Sequence, residues 1–386
     1  GYFISTSLII TLFYTITCSQ YNLFEVDRLV IRVERRGFMD LRIFLVGFGN
    51  VGRAFSALLD ERRSSIFCSS GMNLKLAAVA TRSKGTAFHV KELEISALLE
   101  SERITGRVDS SGQKGISVGI PVLDMIKELD FDVLVECSSP DLERGEPATS
   151  YISAALDRGK AVVTSNKGPL FHNYHSLRET ASRRNARFLF EGTVMTGTPV
   201  FSLFRRCLTG SRILRIEGVL NGTSNFLLDM MKRGSGFERA LLEVQRRAYS
   251  EPDPFLDVDG WDSASKASIL AQVLMNAPYI PFSGMSIEGI RSLDPELFAR
   301  ADRMAGSVRL LCRVEKQGDS HIISVKPEIL PSNHPLSSVS GVTNGVLFMT
   351  DTIGEICITG AGAGPLLTAH ALLMDILSLQ GDLFRR

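Results

Sequence analysis

Short, nearly continuous apolar runs along the chain alternate with longer stretches whose apolar residues recur at helical spacing. That pattern belongs to strands buried on both faces, with helices laid over them. Residues 41–46 predict a first strand, the pattern through Leu59 a helix, and residues 74–80 a second strand at the distance a βαβ unit needs. Further on, residues 92–107 read as a charged helix and Pro121 opens another, before a buried strand at 133–136. A helix over about 147–157 and a strand at 161–163 repeat the unit. Residues 187–190 predict a strand and a helix starts after Pro199, while runs at 308–314, 321–325, 345–349 and 353–359 predict a small mixed sheet.

Between the first strand and its helix stands Gly47-Phe48-Gly49-Asn50-Val51-Gly52. In that context Gly47 permits a tight turn, Gly49 lets the backbone approach a pyrophosphate, and Gly52 lets helix and strand pack closely. The helix N-terminus supplies free N–H groups, so Gly47, Gly49, Asn50, Val51 and Gly52 are expected to hold a dinucleotide in a Rossmann-type doubly wound parallel sheet. The second strand ends in Thr81-Arg82-Ser83-Lys84, with no acid to accept from a ribose 2′-hydroxyl. Arg82 and Lys84 therefore favour NADP, with NAD as the lesser cofactor. Strand 133–136 opens into Cys137, Ser138 and Ser139, and strand 161–163 into Ser165 and Lys167, the ends beside which such sheets bind ligands.

Composition fits an enzyme better than a polyelectrolyte binder. The chain has 386 residues, 44% hydrophobic, 22% charged, with formal net charge +1 and no block of like charge, which excludes the basic footprint of a nucleic-acid partner. Six cysteines (18, 68, 137, 207, 312 and 357) show no paired spacing and read as free thiols in a reducing cytoplasm. His172 and His175 lack evident co-ligands for a metal. Residues 1–38 are foreign to the pattern: the apolar run 3–14 has no basic residues before it and is too short to span a bilayer, so no membrane partner is expected. Met39 immediately precedes the first strand, and the economical reading starts translation there, with a targeting peptide as the alternative.

Candidate chemistry concentrates later. Glu251 and Asp253, each followed by proline, lie on a loop before Asp262 and Lys266, which are four apart on a predicted helix face. Alone, that pair is equally an exposed ion pair worth about 0.3–0.5 kcal/mol. Lys167 overlooks the nicotinamide end or is a surface cation. The loop from Glu191 to Pro199 exposes main-chain carbonyls beside one carboxylate, compatible with a hard cation or with a plain turn. Asn221 and Thr223 are candidate substrate contacts, although Thr223 or Ser224 can simply cap the helix that follows. Cys137 is also a candidate thiol nucleophile, without a nearby histidine.

Taken in order, the turn at Gly47, Ser-Asn-Lys-Gly-Pro ending at Pro169, Glu-Gly-Thr-Val-Met-Thr-Gly-Thr-Pro from Glu191, Leu-Asn-Gly-Thr-Ser-Asn-Phe from Leu220, Glu-Pro-Asp-Pro from Glu251, Asp-Val-Asp-Gly-Trp-Asp with Lys266, and Gly-Ala-Gly-Ala-Gly from Gly360 resemble homoserine dehydrogenase. The resemblance runs from Met39 nearly to the end. It implies NAD(P)-dependent interconversion of homoserine and aspartate 4-semialdehyde on the route to threonine, methionine and isoleucine. It further implies that Lys266 is catalytic, that Lys167 is a second active-site lysine, and that Asp262 and Glu251 hold substrate and order the site. Glu191 with backbone oxygens of Val194, Thr196 and Thr198 matches a monovalent cation site, usually sodium, and the loop holding Gly362 and Gly364 closes over the dinucleotide. A homodimer is implied as well. The expected architecture is an α/β Rossmann domain over 39–170, completed by 355–386, with an inserted α/β catalytic and dimerisation portion over 171–354. The chain stops at Arg386 without the regulatory extension of many members. Two rival readings are an acyl-forming semialdehyde dehydrogenase working through Cys137 and a non-catalytic NADP sensor.

Overall fold

Ile43, Phe44 and Leu45 are fully buried in β1 (Met39–Val46), so this strand has no solvent face and must be covered on both sides. The computed structural model describes residues 39–114, 116–247 and 254–380. β1 lies between β2 (Met72–Ala80) and β5 (Val133–Glu136), parallel to both, in a seven-stranded sheet. Its remaining members are β3 (Thr86–Phe88), β4 (Ser117–Val118), β6 (Ala161–Thr164) and β7 (Phe188–Leu189), in the order β4-β3-β2-β1-β5-β6-β7. β2, β1, β5, β6 and β7 run parallel, whereas the β3–β4 edge is antiparallel. The turn at 81–85 is too short for the crossover that a parallel partner of β2 would need.

Leu41, Ile43 and Leu45 face α1 (Asn50–Ser70) and a late helix, while Phe44 and Val46 face α3 (Val122–Glu128), α4 (Ala148–Asp157) and α5 (Lys167–Arg183). α1 outruns its predicted end at Leu59 and stops where Gly71 adopts φ 74°, a left-handed cap that costs glycine no Cβ clash. The predicted helix at 92–107 is shorter: α2 (Ile95–Thr105) ends at Gly106 in the same conformation.

After β7 the chain leaves through α6 (Phe201–Cys207) into a second, mixed sheet with the order β13-β12-β8-β10-β11-β9. Its strands are β8 (Ile213–Val219), β9 (Ser286–Ile287), β10 (Ser307–Gln317), β11 (Ser320–Leu330), β12 (Thr343–Thr350) and β13 (Gly354–Ala361). β8, which none of the predicted strands covers, is central there. α7 (Gly222–Lys232), α8 (Phe237–Arg246), the short α9 (Phe255–Val258), α10 (Trp261–Leu274) and α11 (Pro295–Arg303) complete this portion. α10 is buried almost all round between α5 and strands β10 and β11. Its Ser263, Ala264, Ser265, Ala267, Ser268 and Ala271 are small enough to let neighbours approach on every side.

The chain then returns through α12 (Pro365–Ser378), which packs on α1 and contributes Ala369, Leu372, Leu373 and Ile376 to the core under the first sheet. The expected domain boundaries shift accordingly. Position 170 falls inside α5, and both α5 and β7 stay with the first sheet; position 355 falls inside β13, an edge strand of the second sheet, so the return begins only after Ala361. The helix after Asn221 is also capped differently than expected. Asn221, with extended backbone, accepts the Ser224 N–H at 2.8 Å through its own side chain, so Asn221 and not Thr223 or Ser224 is the cap. Cys137, Cys207, Cys312 and Cys357 are free thiols. Among the described residues no helix is long and apolar enough to cross a membrane.

α12 is tied back by Asp375, which is 2% exposed and accepts the Glu191 N–H at 2.8 Å. Burial pushes its carboxyl up to about 7, against the opposing pull of that N–H and of Arg205. Because the folded value lies above the unfolded one, this group favours folding most at low pH and loses that contribution as pH rises through about 7. Relative to Asp375→Asn, the wild-type Tm should fall between about pH 4 and about pH 7 and level off above. Parallel thermal-melt profiles for the two proteins would show that Asp375 does not titrate this way.

Candidate active site

The C-terminal ends of β1, β2 and β5 open into a cavity of about 190 Å³ lined by Gly47, Gly49, Arg82, Lys84, Cys137, Ser138 and Ser139, with Phe48, Tyr151 and neighbours. Gly47 has φ 101°, and a Cβ on it would stand 2.7 Å from the Cys137 backbone; one on Gly52 would stand 2.1 Å from the Gly47 oxygen. A Cβ on Gly49, by contrast, would meet nothing within 4 Å. The turn is therefore tight on its inner side and open over Gly49. The first turn of α1 at Asn50, Val51 and Gly52 has no side-chain cap, which leaves its N–H groups for an anion. This donor set fits a dinucleotide pyrophosphate. Arg82 is exposed at the cavity, whereas Lys84 is already held by Glu102 at 2.5 Å and by the Phe48 oxygen at 3.1 Å. The Cys137 thiol donates to the Gly47 oxygen at 3.4 Å, and burial drives its pKa far above the ordinary thiol range. It packs beneath the turn and is not poised as a nucleophile.

Across the seam between the two sheets, Lys167 at the start of α5 and Lys266 on α10 meet the same carboxylate. Lys167 Nζ donates to Asp262 Oδ1, and Lys266 Nζ lies 2.8 Å from Asp262 Oδ2. Asp262 and Lys266 are only 6% and 7% exposed, so the sequence pair is not a surface ion pair. Burial alone would raise the Asp262 carboxyl, but the two ammonium groups override it and hold it well below the usual carboxylate range. Lys266 Nζ also donates to the Leu220 oxygen at 2.7 Å, and the same oxygen accepts from the buried Asn344 Nδ2 at 2.8 Å. Asn221 Nδ2 reaches Asp262 Oδ2 at 2.9 Å and Asp257 Oδ1 at 2.6 Å. Burial and the nearby Asp262 charge raise the Asp257 carboxyl.

A second network sets the start of α5. Glu136, fully buried at the end of β5, accepts from the Ser138 N–H at 2.9 Å and from Thr164 Oγ1 at 2.9 Å. Asn166 Nδ2 donates to the Ser138 oxygen at 3.3 Å, and Asn166 Oδ1 accepts the Gly168 N–H at 3.1 Å, capping the helix whose first residue is Lys167. The strand end beside the dinucleotide cavity and the first lysine are thus joined by side-chain hydrogen bonds.

Other expected residues are placed apart. Ser165, Gly362 and Gly364 do not line the cavity at Gly47. Gly362 sits where a Cβ would overlap the Asn344 amide at 2.3 Å, and Gly364 precedes α12. Thr223 is buried in the first turn of α7, and Glu251 lies outside the described residues. The Glu191 carboxylate accepts from the N–H groups of Phe201 and Ser202, at 2.8 and 2.7 Å, at the start of α6. Its side chain is thereby committed to a helix terminus, within the turn that also holds Val194, Thr196 and Thr198. Among the described residues no cluster of His, Cys, Asp and Glu is arranged for a metal, and His172 and His175 are held by the Leu142 and Ala277 oxygens.

Sequence reading missed Asp257, Glu136, Asn166 and Asn344. Asp257 and Glu136 left a trace, an acid five residues before Asp262 and an acid closing an apolar strand. Asn166 and Asn344 act through backbone atoms of distant segments, which no local pattern displays.

A family model described as the NAD binding domain of homoserine dehydrogenase matches residues 47–191, and one described as homoserine dehydrogenase matches residues 199–377. An NAD(+)-dependent homoserine dehydrogenase from Pseudomonas canavaninivorans is 36% identical over 348 residues, covering 90% of this chain and 98% of the relative. The chain belongs to the homoserine dehydrogenase family. A homoserine dehydrogenase from Methanocaldococcus jannaschii is 34% identical over 87% of this chain and 98% of its own length. A solved hyperthermophilic archaeal homoserine dehydrogenase in complex with NADPH superposes with TM-score 0.75 at 32% identity, covering 89% of this chain and 98% of that one. The chain is an NAD(P)-dependent homoserine dehydrogenase, an oxidoreductase, and neither the acyl-forming reading nor the sensor reading is supported.

Proposed function

We propose that Lys167, Asp262 and Lys266 form the centre at which L-homoserine and L-aspartate 4-semialdehyde are interconverted. The observation that carries this reading is the buried carboxylate shared by two lysines, one from each side of the seam. A bound nicotinamide ring supplies the hydride acceptor or donor. In the oxidative direction the hydroxyl proton must leave the substrate as the hydride departs, and Lys266 Nζ takes it after first releasing one of its own ammonium protons to solvent; in the reductive direction the Lys266 ammonium gives a proton to the carbonyl oxygen and recovers one from solvent. The Leu220 oxygen and Asp262 fix where Lys266 Nζ stands. Lys167 orients the substrate oxygen, and Asn221 and the raised carboxyl of Asp257 line the same place. The product feeds threonine, methionine and isoleucine synthesis in the cytoplasm.

NADP is the preferred dinucleotide in this reading. The cavity lining contains no acid, and with Lys84 engaged by Glu102, Arg82 is left to meet a 2′-phosphate. A sodium ion fits the turn holding Glu191, Val194, Thr196 and Thr198 only through main-chain oxygens, since the Glu191 carboxylate serves α6. Homodimer formation is favoured by β13, an eight-residue edge strand carrying neither proline nor lysine to discourage pairing.

Lys266→Ala should lower kcat by about 10² to 10⁴, the usual range for losing a general acid–base group, with NADP affinity nearly unchanged. Near-wild-type kcat with only KM raised would reduce Lys266 to a binding role. Arg82→Ala should raise KM for NADP about tenfold and leave NAD almost unaffected, as read from steady-state kinetics with each cofactor. Equal losses would show that Arg82 does not read the 2′-phosphate.

A further inference from the structure

Lys84 stands beside Arg82 at the dinucleotide cavity, yet its ammonium group is turned to a carboxylate. Its backbone is pinned. The Lys84 N–H donates to Thr81 Oγ1 at 2.8 Å, the Lys84 oxygen accepts the Val108 N–H at 2.9 Å, and Thr81 Oγ1 donates in turn to the Gly85 oxygen at 2.8 Å, which closes the turn at 81–85. Only the side chain has a choice between the cavity and the protein. It takes Glu102 Oε1 at 2.5 Å and the Phe48 oxygen at 3.1 Å.

Glu102 comes from α2, which packs on α1, and is only 7% exposed. Burial would raise its carboxyl, but Lys84 and Arg53 override that and hold it below the usual carboxylate range. Arg53 Nη1 donates to both of its oxygens at 2.9 Å, and Arg53 Nη2 donates to Asn50 Oδ1 at 2.7 Å in the first turn of α1. One carboxylate therefore holds two cations at the edge of a site that fits a polyanion. The two are not equivalent: Arg53 does not line the cavity, whereas Lys84 does. NAD and NADP differ at one group, the ribose 2′-phosphate, which a cation after the second strand accommodates. An ammonium on a flexible stem can serve there as a point charge, but one engaged by a buried carboxylate must first give up that partner.

We propose that Glu102 is a specificity-determining residue: by holding Lys84 it withholds a second cation from the 2′-phosphate, which limits the advantage of NADP and keeps NAD usable. This rests on the reading of Arg82 as the residue that meets the 2′-phosphate. The test is calorimetric titration of the full chain with NADP and with NAD, for wild type, Glu102→Gln, Lys84→Met and the double variant. The Gln side chain keeps an acceptor for Arg53 and removes the charge that holds Lys84. Glu102→Gln should bind NADP about tenfold more tightly, the scale of one charge-assisted contact, with NAD changed less than about twofold. Lys84→Met alone should leave both affinities within about twofold of wild type, and the double variant should lose the gain. A Glu102 that only ties α2 to α1 would weaken both dinucleotides equally in Glu102→Gln or leave both unchanged, and either result overturns the proposal. A gain kept in the double variant overturns it too, because the carboxylate charge itself would then be the cause. So does NADP binding about tenfold weaker in Lys84→Met, since Lys84 would already serve the phosphate. That variant leaves Glu102 in place and decides the matter even where Glu102→Gln does not fold. Equal weakening of both dinucleotides in Arg82→Ala would sink the Arg82 reading instead, and the cycle between Glu102 and Lys84 is read without it.

Discussion

One buried carboxylate holds two ammonium groups, and the architecture is arranged around supplying both. Asp262 meets Lys266 from its own helix and Lys167 from the first residue of α5, which belongs to the dinucleotide-binding sheet. A charge this deep is tolerable only when paired, and removing one partner of a buried pair costs about 3–5 kcal/mol. Here the set carries one more positive charge than negative. The surplus is met by the Leu220 oxygen on Lys266 and by the neighbouring Asp257, whose own carboxyl is raised by burial and by Asp262. In the proposed mechanism that arrangement fixes one nitrogen for proton transfer and one for holding substrate.

The two sheets contribute by geometry. Parallel strands end on one edge of the first sheet, where the glycine turn and α1 face a phosphate and where β6 delivers its chain into α5. Glu136 and Asn166 tie that edge to the cap of α5, so the position of Lys167 follows from the same strand ends that shape the dinucleotide cavity. The second sheet supports α10, and small residues along that helix allow it to sink far enough for Lys266 to lose almost all contact with solvent. α12 then closes the chain back onto α1.

Much of this was legible in the sequence because it is local. Apolar runs marked β1, β2, β5 and β6 nearly to the residue, and the spacing of Asp262 and Lys266 placed both on one helix face. What the sequence could not display is non-local. Whether that pair was exposed or buried depended on α5 and the second sheet, and β8 became central through partners far along the chain. Arg82 and Lys84 read alike until α2 was seen to place Glu102 against Lys84. Asn221 looked like a substrate contact or a bystander to a cap, and its side chain both caps α7 and contacts Asp262.

The central claim is that Lys167 and Lys266 act as one unit through Asp262, and a double-mutant cycle on kcat/KM for homoserine measures that directly. Lys167→Ala, Lys266→Ala and the double variant should be strongly non-additive, the double losing about as much as the worse single, since either removal already breaks the shared arrangement. Losses that multiply across the two sites would contradict it and leave two independent lysines that merely share a neighbour.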